Sequence, residues 1–335
     1  MKMCNLFLVQ TPFQLFNAIE AKNRFHKNEK NILIIIHKGN EKNLNQINTI
    51  IDYDKDWMEI IQIDFITTFQ RLLYPFYIKT FIDKWNQLHV NTIYVALYRN
   101  IAAHIVNSVK HTTTIIYDDG NTMFKTIKFL NEKKKKSFSA LRGLKDRILL
   151  RNTKIDFLYD STLFTLFDIT SFQNIENSVI KNDFSYFKSK IKNLRKEKNI
   201  FFIGSKMIHN GLKKKTFEKV LKTVIEFYAK LNKEVYYVPH RYEDLSYLEK
   251  LAKEFNFILM PFSSIIEFEF IMKGIDPSEV ATFRSTAVDT LNIIYDADVR
   301  IFKMGLESID NKKWDEFNLV YQNFENKNYK IESIK

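Results

Sequence analysis

Three short polar motifs in this chain contain residue types that can transfer a proton or bind a phosphate. They are Asp118-Asp119-Gly120, Pro239-His240-Arg241 and Ser285-Thr286. Each follows a run of β-forming residues, and in an open parallel sheet ligands bind beyond the carboxyl ends of the strands. Two acids and a histidine from distant parts of the chain are therefore expected at the active-site edge of an enzyme.

The Asp118-Asp119-Gly120 motif has two interpretations. Aspartate and glycine are common in the turns that end strands. Chemically, one carboxylate can accept the proton of an attacking hydroxyl, and Gly120 would let a substrate approach the backbone closely. The other carboxylate would then orient the substrate or cap the next segment, and the sequence does not decide which aspartate is the base.

His240 lies between a proline and an arginine, directly after a strand. A lone histidine is usually structural, but an imidazole at a strand end can also bind or protonate a phosphate leaving group. Pro239 would fix the local backbone. Arg241 would add positive charge to the same phosphate or to the protein surface.

Ser285 and Thr286 stand where a helix begins. Hydroxyl side chains cap many helices, so capping is the simple interpretation. A helix start also presents unpaired N–H groups and a positive dipole end, which suit a phosphate. Gly204-Ser205 likewise follows a strand and precedes a helix, and would form a second loop close to a nucleotide.

The elements that must position these motifs alternate along the chain. Short apolar runs, separated by longer amphipathic segments, predict strands at 5–9, 32–36, 59–63, 92–97, 113–117, 200–203, 234–238, 257–260, 279–283 and 300–303. Helical patterns are clearest at 213–231 and 286–295. This rhythm is typical of parallel βαβ units, and it occurs once in each half of the chain.

Two Rossmann-like α/β domains facing a central cleft, the GT-B architecture of glycosyltransferases, account for this repetition. The polar, basic and irregular stretch 121–199 interrupts the rhythm, so we place the boundary within it. The predicted domains are 1–155, which carries the Asp-Asp-Gly motif on the acceptor side, and 156–335, which binds the nucleotide. The aromatic-rich part at 157–172 is consistent with a homodimer contact.

Composition restricts the class of protein. The 335 residues are 45% hydrophobic, which is enough for two ordinary cores. The single cysteine and an N-terminus without the order of a secretory signal favour the cytoplasm. No apolar stretch approaches the roughly 20 residues that span a bilayer, so membrane contact would be peripheral.

The formal charge of +12 favours anionic partners, and one segment concentrates it. Lysines 133–136 are followed by further cations up to residue 154, with leucine and isoleucine between them. A solvated helical face and a segment bound to the anionic inner face of the cytoplasmic membrane are both consistent with this pattern. If the segment were the functional surface, the chain would be a non-enzymatic lipid-binding or nucleic-acid-binding protein.

Several common site signatures are missing. The sequence contains no phosphate-loop lysine motif, no Gly-x-Gly-x-x-Gly, no cysteine and histidine zinc spacing and no Gly-x-Ser-x-Gly elbow. Asp52, Asp54 and Asp56 resemble the start of a calcium loop, but the glycine and the closing glutamate are lacking. No metal site is therefore expected.

In their order, these motifs resemble those of the bacterial sialyltransferases of glycosyltransferase family 52, the lipooligosaccharide sialyltransferases. The resemblance covers most of the chain except the basic middle. It rests on Thr11-Pro12-Phe13-Gln14-Leu15, Ile93-Tyr94-Val95-Ala96-Leu97, Tyr117-Asp118-Asp119-Gly120, Val238-Pro239-His240-Arg241 and Phe283-Arg284-Ser285-Thr286-Ala287.

The resemblance implies an inverting, metal-independent enzyme that moves sialic acid from CMP-sialic acid to a glycolipid or oligosaccharide acceptor, such as lipooligosaccharide or capsule. It implies no cofactor and no nucleic-acid partner. Asp118 or Asp119 would be the base, His240 the acid or phosphate ligand, and Ser285 with Thr286 the phosphate-binding hydroxyls. Glu267 falls where such enzymes hold the nucleotide ribose with a carboxylate.

Two positions depart from the family pattern. Arg241 stands where many members have proline, and Met207 stands where some have an aspartate. The second departure removes one alternative base and increases the weight on Asp118 and Asp119. Another nonulosonic acid, Kdo or a hexose remains an alternative donor sugar.

Overall fold

The computed structural model describes residues 3–96, 100–120, 122–131, 146–169, 172, 174–208, 211–305 and 309–334. The basic run at 133–136 lies outside the described residues. The described chain forms two compact units, residues 1–186 and 187–335.

The first unit contains a seven-stranded sheet in the order β3-β2-β1-β4-β5-β6-β7. Every strand pair in it is parallel. Its elements are β1 (Cys4–Val9), α1 (Pro12–Phe25), β2 (Lys30–His37), α2 (Glu41–Tyr53), β3 (Glu59–Asp64), α3 (Thr68–Leu72), α4 (Tyr74–Gln87), β4 (Val90–Val95), α5 (Asn100–Ser108), β5 (Thr113–Tyr117), α6 (Thr122–Asn131), β6 (Thr162–Thr165) and β7 (Val179–Lys181), and α7 (Ser185–Ile191) follows at the junction.

The second unit contains a six-stranded parallel sheet in the order β10-β9-β8-β11-β12-β13. Its elements are β8 (Lys196–Ile203), α8 (Lys214–Lys230), β9 (Val235–Val238), α9 (Leu245–Phe255), β10 (Ile258–Leu259), α10 (Ile266–Lys273), β11 (Asp276–Thr282), α11 (Ala287–Tyr295), β12 (Asp298–Met304), α12 (Trp314–Glu325) and β13 (Lys330–Ile334).

Strand burial follows position in the sheet. All six residues of the central strand β1 are buried, because helices cover both faces of a parallel sheet. The edge strand β3 alternates between buried and exposed residues. Among the described helices, none is long and apolar enough to cross a membrane.

The division between the units lies later in the chain than the sequence predicts. The expected boundary at 155/156 precedes β6 and β7, but β6 pairs with β5 and β7 pairs with β6, so both strands extend the first sheet. Thr162–Thr165 is a short strand inside the aromatic-rich stretch assigned to the boundary region. Strand pairing therefore gives that stretch a structural role in the first unit.

Both sheets contain a switch point, where the strand order reverses direction. In the first unit it lies between β1 and β4, and in the second between β8 and β11. Loops that leave the carboxyl ends of neighbouring strands at such a point can diverge and leave room for a ligand. Gly204-Ser205 and Ser285-Thr286 follow the two strands at the second switch point, whereas Asp118-Asp119-Gly120 follows β5 and Pro239-His240-Arg241 follows β9, each one strand further along its sheet.

Candidate functional site

The two adjacent aspartates after β5 have different surroundings. Asp118 is fully buried, and both of its carboxylate oxygens accept hydrogen bonds: Oδ1 from the Thr165 hydroxyl at 2.7 Å, Oδ2 from the Leu166 N–H at 2.7 Å. Burial raises the pKa of Asp118 to about 7. A carboxylate enclosed in this way is poorly placed to reach a substrate, so its contacts indicate that Asp118 joins β5 to β6.

A buried polar network supports the same turn. Asn17 of α1 donates to the Asp118 carbonyl at 3.2 Å, and Asn182 donates to the Asn17 side chain at 2.8 Å. A satisfied buried network stabilises one backbone geometry. It thereby sets the direction in which the next residue, Asp119, leaves the strand.

Asp119 is partly exposed and lines a cavity. Its Oδ1 accepts a hydrogen bond from the Thr11 hydroxyl at 3.1 Å. Thr11 also caps α1, since its side chain accepts the Gln14 N–H at 3.2 Å. The carboxylate is therefore held beside a helix N-terminus, where a negative charge is favoured.

The cavity has a volume of about 260 Å³ and lies entirely within the first unit. This volume is just below the usual range for small-molecule sites, roughly 300 to 1,000 Å³. The lining residues come from the ends of β1, β2 and β5 and from the start of α2: Gln10, Thr11, Ile35, Ile36, His37, Lys38, Asn40, Asn43, Leu44, Ile47 and Asp119.

His37 and Lys38 are among the cavity residues that were not identified from the sequence. Lys38 donates to Gln10 Oε1 at 2.9 Å, so its ammonium group faces the loop after β1. His37 is buried, and its Nδ1 lies 3.0 Å from Asp64 Oδ1. Its Nε2 has no hydrogen-bond partner among the described residues and lies 3.6 Å from Glu41 Oε1. In the sequence, the only signal for His37 and Lys38 was their position directly after a predicted strand.

In the second unit, the structure brings Gly204 and His240 together. The Gly204 N–H donates to the Val238 carbonyl at 2.8 Å, which joins the loops after β8 and β9. A Cβ at Gly204 would lie 2.9 Å from the Val238 oxygen and 3.0 Å from the His240 nitrogen. Glycine is therefore required there for close approach of two backbones, in addition to any role beside a nucleotide.

Glu243 holds the His240 turn and was also missed. Its Oε2 accepts the His240 N–H at 2.7 Å, and its Oε1 accepts the Tyr237 hydroxyl at 2.8 Å. Burial raises the pKa of Glu243 to about 7. A glutamate three residues after His240 was the only sequence signal.

The His240 ring has an ordered environment. Its Nδ1 accepts the Tyr242 N–H at 3.3 Å, which places the proton of the neutral ring on Nε2. Tyr242 lies between cations, with Lys206 Nζ 3.9 Å and the Arg241 guanidinium 5.0 Å from its ring centre. The edge that follows β8 and β9 therefore combines an N–H donor with two positive charges.

Ser285 and Thr286 adjoin the switch point through Thr282. The Thr282 hydroxyl donates to the Ile203 carbonyl at 2.8 Å and accepts the Ser285 N–H at 2.9 Å. Thr286 precedes α11, but its side chain makes no capping hydrogen bond. The Thr286 hydroxyl therefore does not cap α11, contrary to the simple capping interpretation. The Ser205 hydroxyl is buried and lacks a hydrogen-bond partner among the described residues.

Glu267 lies in the first turn of α10 and is only 4% exposed. Burial raises its pKa to about 7, opposed by hydrogen bonds that include the Thr290 side chain in the first turn of α11. The carboxyl therefore joins the starts of two helices. Within the described part of the chain, no cluster of three or more histidine, cysteine, aspartate or glutamate residues could hold a metal ion.

The first prediction concerns Gly204. Gly204→Ala should lower the free energy of unfolding by about 1 to 3 kcal/mol, because overpacking displaces the 239–243 turn. Chemical denaturation measures this cost. Adding Glu243→Ala removes the carboxylate that the new methyl group would meet first, but it leaves the two backbone contacts. The double variant should therefore not regain the lost free energy of unfolding. A Gly204→Ala variant as stable as the original protein would contradict the close approach of the two backbones.

The second prediction concerns pH. The pKa of Glu267 is raised on folding, so the folded state binds its proton more tightly, and stability is lost as pH rises from 4.5 to about 7. Glu267→Gln should remove this loss. Between about pH 5 and about pH 8.5, the variant should gain about 2 kcal/mol relative to the original protein. If the free energies of unfolding of the variant and of the original protein changed with pH in parallel, folding would not raise the pKa of Glu267.

Comparison with known proteins identifies the fold. Neither protein-family models nor curated protein sequences match this chain. It is similar to Glycyrrhiza uralensis UGT73P12 complexed with glycyrrhetinic acid 3-O-monoglucuronide (TM-score 0.52, 12% identity, 93% of this chain and 79% of that chain). It is also similar to Arabidopsis thaliana UGT89C1 complexed with quercetin (TM-score 0.52, 10% identity, 99% of this chain and 86% of that chain).

Escherichia coli heptosyltransferase WaaC with ADP-2-deoxy-2-fluoro heptose is a further neighbour (TM-score 0.48, 11% identity, 98% of this chain and 100% of that chain). At such identities, the likeness concerns the fold alone. The expected architecture is confirmed: two parallel-sheet α/β units that match the GT-B fold of nucleotide-sugar glycosyltransferases.

Proposed function

We propose that this protein is an inverting sialyltransferase that moves sialic acid from CMP-sialic acid to a galactose hydroxyl of a cell-surface glycan, such as lipooligosaccharide or capsule. The GT-B fold supports a nucleotide-sugar glycosyltransferase. The choice of donor rests on the ordered motif set, which is similar to that of family 52 sialyltransferases. No metal ion takes part in the proposed reaction.

The observation that carries the proposal is the position of Asp119. It is the member of the aspartate pair that lines the cavity, and Thr11 holds its carboxylate. A general base must lie within hydrogen-bond reach of the proton that it removes. We therefore assign the acceptor sugar to the cavity and the base to Asp119, with Asp118 as a positioning residue.

The amide side chains around the cavity suit a polyhydroxylated acceptor. Gln10, Asn40 and Asn43 can each donate and accept hydrogen bonds with sugar hydroxyls. Lys38 adds donors but no acceptor. With these groups beside the apolar Ile35, Ile36, Leu44 and Ile47, the lining can bind the hydroxyls of a sugar ring.

We assign the donor nucleotide to the loops of the second unit. His240 Nε2, Arg241, Ser285 and Thr286 would bind the CMP phosphate, and Gly204 with Ser205 would form the loop beside it. Pro239 would fix the turn. Glu267, which is buried in the first turn of α10, would accept hydrogen bonds from the ribose.

The proposed step forms one bond and breaks another. The acceptor oxygen attacks the anomeric carbon of sialic acid, and the bond from that carbon to the phosphate oxygen breaks. Asp119 takes the hydroxyl proton, and the electron pair of the broken bond leaves with CMP. His240 stabilises the departing phosphate by donating a hydrogen bond or a proton. Attack opposite the leaving group inverts the configuration.

The first experiment is calorimetric titration with CMP, UMP and GDP without added metal. Selective binding of CMP is the expected result, and it should be followed by formation of a sialylated product detected by mass spectrometry. Preference for UMP or GDP would indicate a hexose donor. CMP selectivity without sialyl transfer would indicate Kdo or another nonulosonic acid. Absence of nucleotide binding would favour a non-enzymatic lipid-binding or nucleic-acid-binding function.

A further inference from the structure

Large apolar side chains are exposed together on the first unit. Five lie on α3, on α4 and in the loop before α3: Ile66, Phe69, Leu72, Phe76 and Tyr77. They are between 37% and 63% exposed. Helix α4 buries Tyr74, Ile78 and Trp85 on its other face, so Phe76 and Tyr77 are not needed for its packing.

Ile148 and Leu150 extend the same surface and are 69% and 65% exposed. The next residue, Arg151, donates to the Leu72 carbonyl at 2.5 Å and lies over the Tyr74 ring at 5.1 Å. These contacts join residues 148–151 to the turn between α3 and α4. We call these seven exposed side chains the apolar patch. Contiguous apolar surface on a soluble unit marks an interaction site more often than scattered single residues do.

The segment that carries most of the apolar patch is basic. Between Asp64 and Asp83 the chain contains no acidic residue, and its charged side chains are Arg71 and Lys79. Arg147 and Lys154 flank the second segment. The nearby carboxylate of Asp146 accepts the Thr153 hydroxyl at 2.6 Å and lies 4.0 Å from Arg151, so it is compensated within the fold.

We propose that the apolar patch inserts into the surface of an anionic lipid bilayer. Exposed aromatic and aliphatic side chains bordered by lysine and arginine suit the boundary between acyl chains and anionic headgroups. A neutral protein partner would leave these cations without counter-charge. Residues 147–154 of this surface belong to the basic segment that the sequence singled out, whereas the residues of α3 and α4 were not part of that prediction.

The patch borders the cavity. The Arg71 guanidinium donates to the Phe65 carbonyl at 2.8 Å and to the carbonyl of Lys38, a cavity residue, at 2.8 Å. If the cavity holds the acceptor, as the proposed function has it, a membrane-docked unit would receive acceptors that are anchored in lipid. Vesicle binding itself does not depend on that function.

The test is co-sedimentation of the full chain with vesicles of phosphatidylcholine, alone or mixed with phosphatidylglycerol. We expect binding to the anionic vesicles. Phe69→Ser with Phe76→Ser should weaken it at least about tenfold through lost apolar burial. Lys79→Glu with Arg147→Glu should also weaken it at least about tenfold, and only this loss should be reproduced by added salt.

The matched controls are exposed residues of the second unit. Leu231→Ser with Met272→Ser should leave vesicle binding unchanged, since these side chains are 50% and 52% exposed but lie elsewhere. Lys215→Glu with Lys219→Glu is the corresponding charge control. Thermal unfolding should show that all four double variants fold.

Three results would overturn the proposal. One is equal binding of the patch variants and the original protein, and another is no preference for anionic vesicles. The third is that the patch variants differ from the original protein in molecular mass by light scattering but not in vesicle binding. That result would show that a second copy covers the patch. Vesicle binding without nucleotide binding would retain this inference while refuting the proposed transferase.

Discussion

Asp119→Asn is expected to lower kcat for sialyl transfer by a factor of about 10² to 10⁴, the usual contribution of a general base. Asparagine keeps the size of the side chain and can still accept the Thr11 hydroxyl, which lies 3.1 Å from Oδ1 in the original protein. It cannot take a proton from the acceptor. CMP affinity should be unchanged, because the donor is assigned to the second unit, and calorimetry with steady-state kinetics separates the two effects.

The neighbouring aspartate provides the sharpest comparison. Asp118→Ala should lower the free energy of unfolding by about 1 to 3 kcal/mol, because it leaves the buried Leu166 N–H without its acceptor. Asp160→Asn, at an exposed aspartate of the same unit, should change neither property. If Asp119→Asn kept full activity while Asp118→Asn lost it without losing stability, the two assignments would be reversed.

His240→Asn is expected to lower kcat by a similar factor of about 10² to 10⁴. The shorter asparagine side chain can accept the Tyr242 N–H, which lies 3.3 Å from Nδ1 in the original protein, but it has no group near the former Nε2. The departing phosphate would therefore lose its donor. Single-turnover kinetics with CMP-sialic acid measure this loss directly.

A second substitution separates the two roles of the histidine. His240→Gln places an amide donor near the former Nε2, so it should keep part of the activity if the ring only donates a hydrogen bond. It should be as poor as His240→Asn if the ring transfers a proton. His89→Asn, at an exposed histidine, is the control. Wild-type rates in both His240 variants would exclude His240 from the reaction.

Much of the fold was predictable because it depends on local patterns. The run at 113–117 coincides with β5, and the run at 59–63 differs from β3 by one residue. The helical pattern at 213–231 coincides closely with α8, Lys214–Lys230. Buried parallel strands are continuous apolar runs, so their position is visible without tertiary information.

The sequence missed β6, β7 and β13 among the described strands, and the last two have weak patterns for a physical reason. β7 is three residues long and partly exposed, and β13 alternates lysine, glutamate and isoleucine at the edge of its sheet. Edge strands have one solvated side, so they need less apolar surface. The pairing of β7 with β6 and of β13 with β12 decides their structure, and a local sequence pattern does not show which strands pair.

The sequence by itself determined which residue types stand at the strand ends: the aspartate pair, His240, and the hydroxyls at the start of α11. Only the tertiary structure distinguished Asp118 from Asp119, because two adjacent residues of the same type differ only in what surrounds them. One carboxylate is enclosed by Thr165 and Leu166, and the other lines the cavity. The contact between Gly204 and the distant 239–243 turn likewise decided the need for glycine there, and the folded geometry of that turn decided the support that Glu243 provides to His240.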